Sequence, residues 1–146
     1  MSSSSALLRP FIALAALALA VGLAAASEWS DSDRSEFQRI INTQISAFHA
    51  DDGAKAYSFA TPRLQKKFVN PSIFMQMVRT GYPAVYRARN VEFAGISDEL
   101  GKPTQRVKLI GPDGSLWLGL YGFQKQPDGS WRISAVVIRK APDAAA

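Results

Sequence analysis

Side chains that can carry acid–base chemistry lie close together near position 50 of this 146-residue chain. The only histidine, His49, comes shortly before Asp52 and Tyr57. An imidazole that is oriented by a carboxylate can act as a general base, and a tyrosine hydroxyl can donate a proton. His49, Asp52 and Tyr57 are therefore the candidate catalytic residues of a small acid–base enzyme that needs no cofactor.

The same residues also have a structural interpretation, which the sequence favours. Asp52 precedes Gly53, where its carboxylate can accept the free amide protons at the start of a helix. His49 follows Phe48 and is rotated by about 100° from it, toward the solvent boundary of the preceding helix. A general base needs an imidazole ring that is held in one orientation and shielded from water, and a side chain at the solvent boundary has neither property. We therefore predict an exposed His49 and no catalytic residue.

A second candidate site contains two guanidinium groups. Arg87 and Arg89 are predicted to share a strand face with Val91 and Phe93. The two arginines would then flank one end of the core or pocket that these apolar residues line. Paired guanidinium groups bind carboxylates and phosphates, and Tyr121 is predicted to supply a hydroxyl donor. Arg87, Arg89 and Tyr121 are therefore the candidate ligand-binding residues. The alternative is a solvent-facing arginine pair where the strand leaves the core.

Several classes of site are not supported by the composition. The chain has one histidine and no cysteine, so the common metal-binding patterns are missing, and it contains neither a Gly-x-Ser-x-Gly motif nor a glycine-rich loop at a helix start. We predict no metal and no cofactor. The net charge of +5 is spread over scattered pairs instead of a basic stripe with interleaved aromatics, so nucleic acid is not a predicted partner.

The first 26 residues have the three parts of a secretory signal peptide. Arg9 is the single cation, residues 11–23 are uncharged, and an alanine triplet follows at residues 24–26. The alternative, an uncleaved anchor, needs roughly 20 apolar residues to cross a bilayer. We predict cleavage after Ala26, a periplasmic or secreted location, and no transmembrane segment after cleavage. One domain then occupies residues 27–140, and residues 141–146 form a disordered tail.

Helix signals fill the first part of this domain. Asp33 and Glu36 have the spacing of a capping box and predict a helix over residues 34–50. Asp52 starts a second short helix, and prolines behind a capping side chain start two more. These two starts are Thr61 with Pro62 and Asn70 with Pro71, and Gly81 ends the last helix.

Strand signals follow from residue 82. Apolar and polar residues alternate near residues 91–93 and 107–109, and turn sequences at residues 111–114 and 126–129 predict two hairpins. The segment between those turns is apolar on both faces, which is typical of a central strand, and residues 131–139 form the last strand. Helices followed by a strand meander predict an α+β fold, with N-terminal helices packed on a curved antiparallel sheet.

Six short segments of the chain form a recognisable pattern: ISAFHADD (45–52), AY (56–57), TP (61–62), FMQMV (74–78), GYP (81–83) and DGSWRI (128–133). With these segments the sequence resembles a bacterial exported family called domain of unknown function 4864. More distantly, the order of elements and the Gly-x-Trp-x-Ile strand are similar to the nuclear transport factor 2-like superfamily. The resemblance implies a cone of bent sheet and helices, often enclosing a pocket, without an assigned activity.

We interpret the chain as a non-enzymatic binding module for an unknown small ligand or envelope protein. The alternatives are the acid–base enzyme above and a homodimeric component of an envelope complex. A dry pocket of about 300 Å³ would cost on the order of 7 kcal/mol, a large part of a domain's stability. A hollow must therefore hold water or ligand, or be plugged by bulky aromatics. The candidates for such a plug are Trp117, Tyr121, Phe123 and Trp131.

Overall fold

The computed structural model describes residues 29–142, in which helices precede strands as predicted. The signal-peptide prediction for residues 1–26 lies outside the described residues. The helices are α1 (Asp31–His49), α2 (Gly53–Ser58), α3 (Pro62–Phe68), α4 (Pro71–Gly81) and α5 (Pro83–Tyr86), and the strands are β1 (Asn90–Ser97), β2 (Thr104–Ile110), β3 (Leu116–Lys125) and β4 (Trp131–Lys140).

Helix α1 begins earlier than predicted because a different pair of residues forms its capping box. The Ser30 hydroxyl accepts the Asp33 N–H at 3.0 Å, and the Asp33 carboxylate accepts the Ser30 N–H at 3.4 Å. The prediction of Asp33 and Glu36 as the capping pair is wrong, because Glu36 forms an ion pair with Arg39 instead. The earlier start places Phe37 in the second turn, facing the core.

The predicted caps of the three short helices are confirmed, since each cap side chain accepts a backbone N–H of the first turn. The acceptor and donor residues are Asp52 with Lys55 (3.1 Å), Thr61 with Leu64 (3.4 Å) and Asn70 with Ile73 (2.9 Å). Helix α5 was not anticipated from the sequence. The usual start signal is a capping side chain followed by a proline in the first turn. Helix α5 has the proline, but Tyr82 before it makes no side-chain cap.

The four strands form an antiparallel sheet in the order β1-β2-β3-β4, and β3 is central as predicted. The two predicted turns join β2 to β3 and β3 to β4. Each turn places a glycine, Gly114 or Gly129, at φ 82° or 84°, where a side chain would be strained. The preceding aspartates, Asp113 and Asp128, accept the N–H groups of the serines that follow, at 2.9 Å.

The chain between α2 and α3 is attached to β4. The Ile133 N–H donates to the Phe59 carbonyl at 2.8 Å, and the Thr61 N–H donates to the Ile133 carbonyl at 2.9 Å. Next to this bridge, the β3–β4 register shifts between Gly122 and Phe123. The attachment holds the start of α3 beside the irregular part of the sheet.

The core forms where α1 crosses the inner face of the sheet. Phe37 stacks on Phe123 with ring centroids 4.3 Å apart, and Trp131 meets Phe37 edge to face at 4.9 Å. Trp29 packs against Trp131 at 6.2 Å. Phe123 and Trp131 therefore plug one end of the interior, as expected for bulky aromatics. They leave the end beneath α3 and α4 open.

Candidate ligand-binding cavity

A cavity of about 460 Å³ lies between α3, α4 and the inner face of β4, and we call it the α3–β4 cavity. Its volume falls within the range of 300–1,000 Å³ that is typical of small-molecule sites. The end of α1 and the buried side chain of Tyr121 on β3 complete its lining. The cavity is therefore a feature of the domain interior at the end that the aromatic plug does not reach.

The walls of this cavity are mainly apolar because α3 and α4 turn their apolar faces toward each other. Leu64 and Phe68 are four residues apart on α3, which places them on one face. Phe74 and Val78 have the same spacing on α4, and the rings of Phe68 and Phe74 are 5.9 Å apart. Met77 adds an adaptable thioether to the same wall. These side chains suit an apolar ligand.

The hydroxyl of Tyr121 is buried and has no hydrogen-bond partner among the described residues. The residue is fully buried and lines the cavity. Burial raises the pKa of this phenol well above its usual value, so the group is a neutral donor at physiological pH. An unpaired buried hydroxyl costs about 1–3 kcal/mol, which a bound acceptor would recover.

The other neutral polar side chains of the lining already have partners. The Gln44 amide donates to the Ala56 carbonyl at 3.1 Å, and the Ser134 hydroxyl donates to a β3 carbonyl at 3.2 Å. The Tyr82 hydroxyl donates to the Val136 carbonyl at 3.3 Å. Tyr121 is therefore the neutral side chain of the described lining whose hydrogen bonding is incomplete.

Three cations also line the cavity, and no carboxylate does. Arg63 and Lys67 come from α3, and Lys102 comes from the loop between β1 and β2. Within residues 29–142 none of the three forms an ion pair. The electrostatic potential at this site is therefore set by positive groups without a local counter-charge.

A family model described as Domain of unknown function (DUF4864) matches residues 30–146. The chain belongs to this family. No curated protein and no solved structure matches the chain. The matched segment includes the whole α3–β4 cavity of this DUF4864 domain, but the family description assigns no activity. The function must therefore be argued from the cavity itself.

The candidate catalytic residues of the DUF4864 domain lie outside the cavity. His49 is exposed at the end of α1, and its ring has no hydrogen-bond partner among the described residues. Asp52 caps α2. The Tyr57 hydroxyl donates to the Gln65 carbonyl at 2.5 Å, so it holds α3 against α2. The structure therefore gives these side chains separate local roles.

Arg87 binds groups of its own chain. Its guanidinium lies 3.0 Å from the Asp51 carboxylate, donates to the Phe48 carbonyl at 2.6 Å, and stacks 3.9 Å from the centre of the Tyr86 ring. The Tyr86 hydroxyl donates to Asp51 as well, and these two donors, Tyr86 first, lower the pKa of that carboxyl. An external anion at Arg87 would have to displace Asp51.

The two other predicted ligand-binding residues have different outcomes. Arg89 is exposed ahead of β1, and its N–H pairs with the Ile110 carbonyl at 2.8 Å. Neither Arg87 nor Arg89 lines the cavity, whereas Tyr121 does. Both arginines also precede Asn90, the first residue of β1, so they do not share its strand face with Val91 and Phe93.

Sequence reasoning missed the three cations of the cavity. The sequence shows Lys67 only as one of the scattered charges, next to Lys66, and gives Arg63 no distinct role. The spacing of Arg63 and Lys67, four residues apart next to Leu64, was an available signal for a mixed cationic and apolar helix face. No local signal could place Lys102 beside them.

Residues 29–142 contain neither a metal-binding cluster nor a membrane-spanning helix. No group of three or more histidine, aspartate or glutamate side chains is arranged to hold a metal ion. No helix in this part of the chain is both long and apolar enough to cross a bilayer.

Proposed function

We propose that this protein is an exported binding module that holds a small, mainly apolar molecule in the α3–β4 cavity. The buried, unpartnered hydroxyl of Tyr121 in an apolar cavity is the observation that carries the proposal. The ligand presents a hydrogen-bond acceptor to Tyr121 and apolar groups to α3 and α4. We also place the domain in the nuclear transport factor 2-like superfamily, because helices laid over a curved antiparallel sheet around a cavity fit that cone.

The size of the cavity supports an occupant. Its volume of about 460 Å³ suits a small molecule, and the cavity is open to solvent, so water fills it in the free protein. Most of the neutral polar lining groups already have partners, so water against the apolar walls finds few hydrogen bonds, and an apolar ligand that displaces it gains free energy. An apolar ligand with one acceptor fits the lining better.

Binding accounts for the geometry better than catalysis does. The side chains considered for acid–base chemistry, His49, Asp52 and Tyr57, do not line the cavity. The raised pKa of Tyr121 makes it a donor and not a base at physiological pH. The cavity thus offers recognition groups, and the described residues around it supply no general base.

The binding half of the proposal is tested with methyl octyl ketone, an uncharged apolar molecule that carries one acceptor. The protein beginning at Ser27 is titrated with the ketone, and its melting temperature and heat of binding are measured. At a hundredfold excess over the dissociation constant, a ligand stabilises the folded state by about 2.7 kcal/mol. We therefore expect a clear rise in melting temperature.

Two variants locate the binding. Met77→Trp fills the cavity from α4 and should abolish the ketone response, whereas Ile73→Trp changes an α4 residue that is 44% exposed and outside the lining. The control variant should respond like the parent. A parent that does not bind the ketone, or a Met77→Trp variant that binds it equally well, would overturn the proposal.

The export half is tested by N-terminal sequencing of protein from the cell envelope or medium. The mature chain should begin near Ser27, because the alanine triplet at residues 24–26 precedes that position. A main product in the cytoplasm with an intact Met1 would contradict export.

A further inference from the structure

The cavity places cationic and apolar side chains in one lining. Phe68, Phe74 and Met77 belong to its apolar wall, and the charged groups of the lining are Arg63, Lys67 and Lys102. Arg63 and Lys67 are exposed to solvent, whereas Phe74 is buried. The positive charge therefore lies on the solvent side of α3, and the apolar surface lies beneath it.

Helix α3 carries three cations, Arg63, Lys66 and Lys67, and two of them, Arg63 and Lys67, line the cavity. Arg63 and Lys67 are four residues apart, so their side chains are neighbours, and like charges at this spacing destabilise a helix by a few tenths of a kcal/mol. No acidic residue occurs in α3 to offset them. An anion between the two side chains would remove this repulsion.

The third cation reaches the cavity from the opposite side of the fold. Lys102 belongs to the β1–β2 loop, and its aliphatic stem packs over the backbone of Gly122 on β3. A Cβ atom at position 122 would lie only 2.9 Å from the Lys102 Cδ atom. The glycine thus allows the close approach that brings Lys102 to the same cavity as the α3 cations.

We propose that the ligand of the α3–β4 cavity is an amphiphile with an anionic head group, such as the carboxylate of a single-chain apolar acid. Its apolar chain, which carries the acceptor for Tyr121, occupies the space between α3, α4 and β4, and its head group binds Arg63, Lys67 and Lys102. The lining has three cations without an ion pair and no carboxylate. These charges favour a negatively charged head group over a neutral or cationic one. This inference rests on the proposed binding function.

The test compares three probes of similar chain length. Decanoate is anionic, methyl octyl ketone is uncharged, and decyltrimethylammonium is cationic, and each is used below the concentration at which it forms micelles. Dissociation constants are measured by calorimetry on the protein beginning at Ser27. Decanoate should bind about tenfold more tightly than the ketone, which corresponds to about 1.4 kcal/mol, because hydrogen bonds to charged groups are stronger than those between neutral groups. Added salt should weaken the binding of decanoate and leave the binding of the ketone unchanged.

Paired variants assign the effect to the cavity. Arg63→Gln with Lys67→Gln removes two lining charges, while Lys66→Gln with Lys55→Gln removes two exposed charges from α3 and α2 that do not line the cavity. We expect the first pair of substitutions to raise the dissociation constant of decanoate about tenfold and to leave that of the ketone unchanged. The second pair should behave like the parent with both probes, and matching melting curves would show that both variants are folded.

The outcomes separate this inference from the proposed function. Ketone binding without any preference for decanoate, or tightest binding of decyltrimethylammonium, would overturn the anionic head group and leave the cavity as a binding site. An equal loss of decanoate affinity in both charge variants would also overturn it, since that result reflects net charge alone. Failure of the ketone to bind would reject the proposed binding function itself, and with it this inference.

Discussion

The indole N–H of Trp131 donates a hydrogen bond to the carboxylate of Asp33 at 3.1 Å, across 98 residues of chain. The same carboxylate accepts the Ser30 N–H in the capping box of α1. Hydrogen bonds from Ser30 first, and then from Trp131, lower the pKa of Asp33 in the folded protein. One ionised side chain therefore both starts the first helix and fixes it to the last strand.

The lowered pKa predicts how stability depends on pH. Asp33 binds its proton more readily in the unfolded chain, so its stabilising effect is complete above its ordinary pKa near 3.8 and is lost as pH falls through the lower folded value. Asp33→Asn removes this titration. In urea unfolding, the parent should exceed the variant in stability at pH 6, and the difference should shrink below pH 4. A difference that stays constant over this range would contradict the assignment.

The Asp51–Arg87 pair predicts where inorganic phosphate can bind. Arg87 is held by Asp51, so phosphate should raise the melting temperature of the parent very little. Asp51→Asn removes the competing carboxylate charge and should give a larger rise. Adding Arg87→Gln to that variant should abolish the rise. An equally large response in the parent would show that Asp51 does not compete for the guanidinium.

Val69 predicts a gain in stability on substitution by glycine. It ends α3 with φ 72°, a region that branched side chains avoid, and its side chain is 69% exposed. Such strain costs on the order of 1–3 kcal/mol, so Val69→Gly should raise the free energy of unfolding by about 1 kcal/mol. Val69→Ala is the matched control because it keeps the Cβ atom. If glycine were less stable than alanine here, the strain argument would fail.

Tyr121 and Tyr82 predict opposite effects of removing a hydroxyl from the same cavity. Tyr121→Phe deletes an unpartnered group and should leave the ligand-free protein at least as stable as the parent. Tyr82→Phe deletes the bond to the Val136 carbonyl and should cost about 1 kcal/mol. Only Tyr121→Phe should weaken the binding of methyl octyl ketone without lowering the stability of the protein. A clear stability loss in Tyr121→Phe would mean that its hydroxyl has a partner in the free protein.

The parts of the fold that sequence predicted are those that local chemistry determines. Asp52, Thr61 and Asn70 act as caps because a short polar side chain reaches the amide protons of its own next turn. The glycines of both hairpins follow the same logic. Two capping pairs compete for the start of α1, Ser30 with Asp33 and Asp33 with Glu36. The Asp33 carboxylate of the pair that forms also accepts a hydrogen bond from the distant Trp131, which local sequence does not reveal.

The candidate site was harder to predict because it depends on where distant segments meet. Tyr121 was expected to supply a hydroxyl donor, and as a residue of the central strand β3 it lies in the cavity lining. The prediction that Arg87 lies on a strand was wrong because Arg87 directly follows α5. This helix lacks a side-chain cap and was therefore not predicted. Lys102 lines the same cavity as Arg63 and Lys67 because its loop packs against Gly122, and no periodicity in the sequence reveals this contact.

The bridge between residues 59–61 and Ile133 also affects how copies of the protein behave toward one another. Strand β4 is at the border of the sheet, where unpaired backbone groups invite another chain to add a strand. The bridge occupies Ile133, and the Tyr82 hydroxyl occupies the Val136 carbonyl farther along. The strand then ends in Arg139 and Lys140, whose charges repel a second copy. The same backbone contacts that hold α3 over the cavity thus protect this border of the sheet from pairing with a second copy.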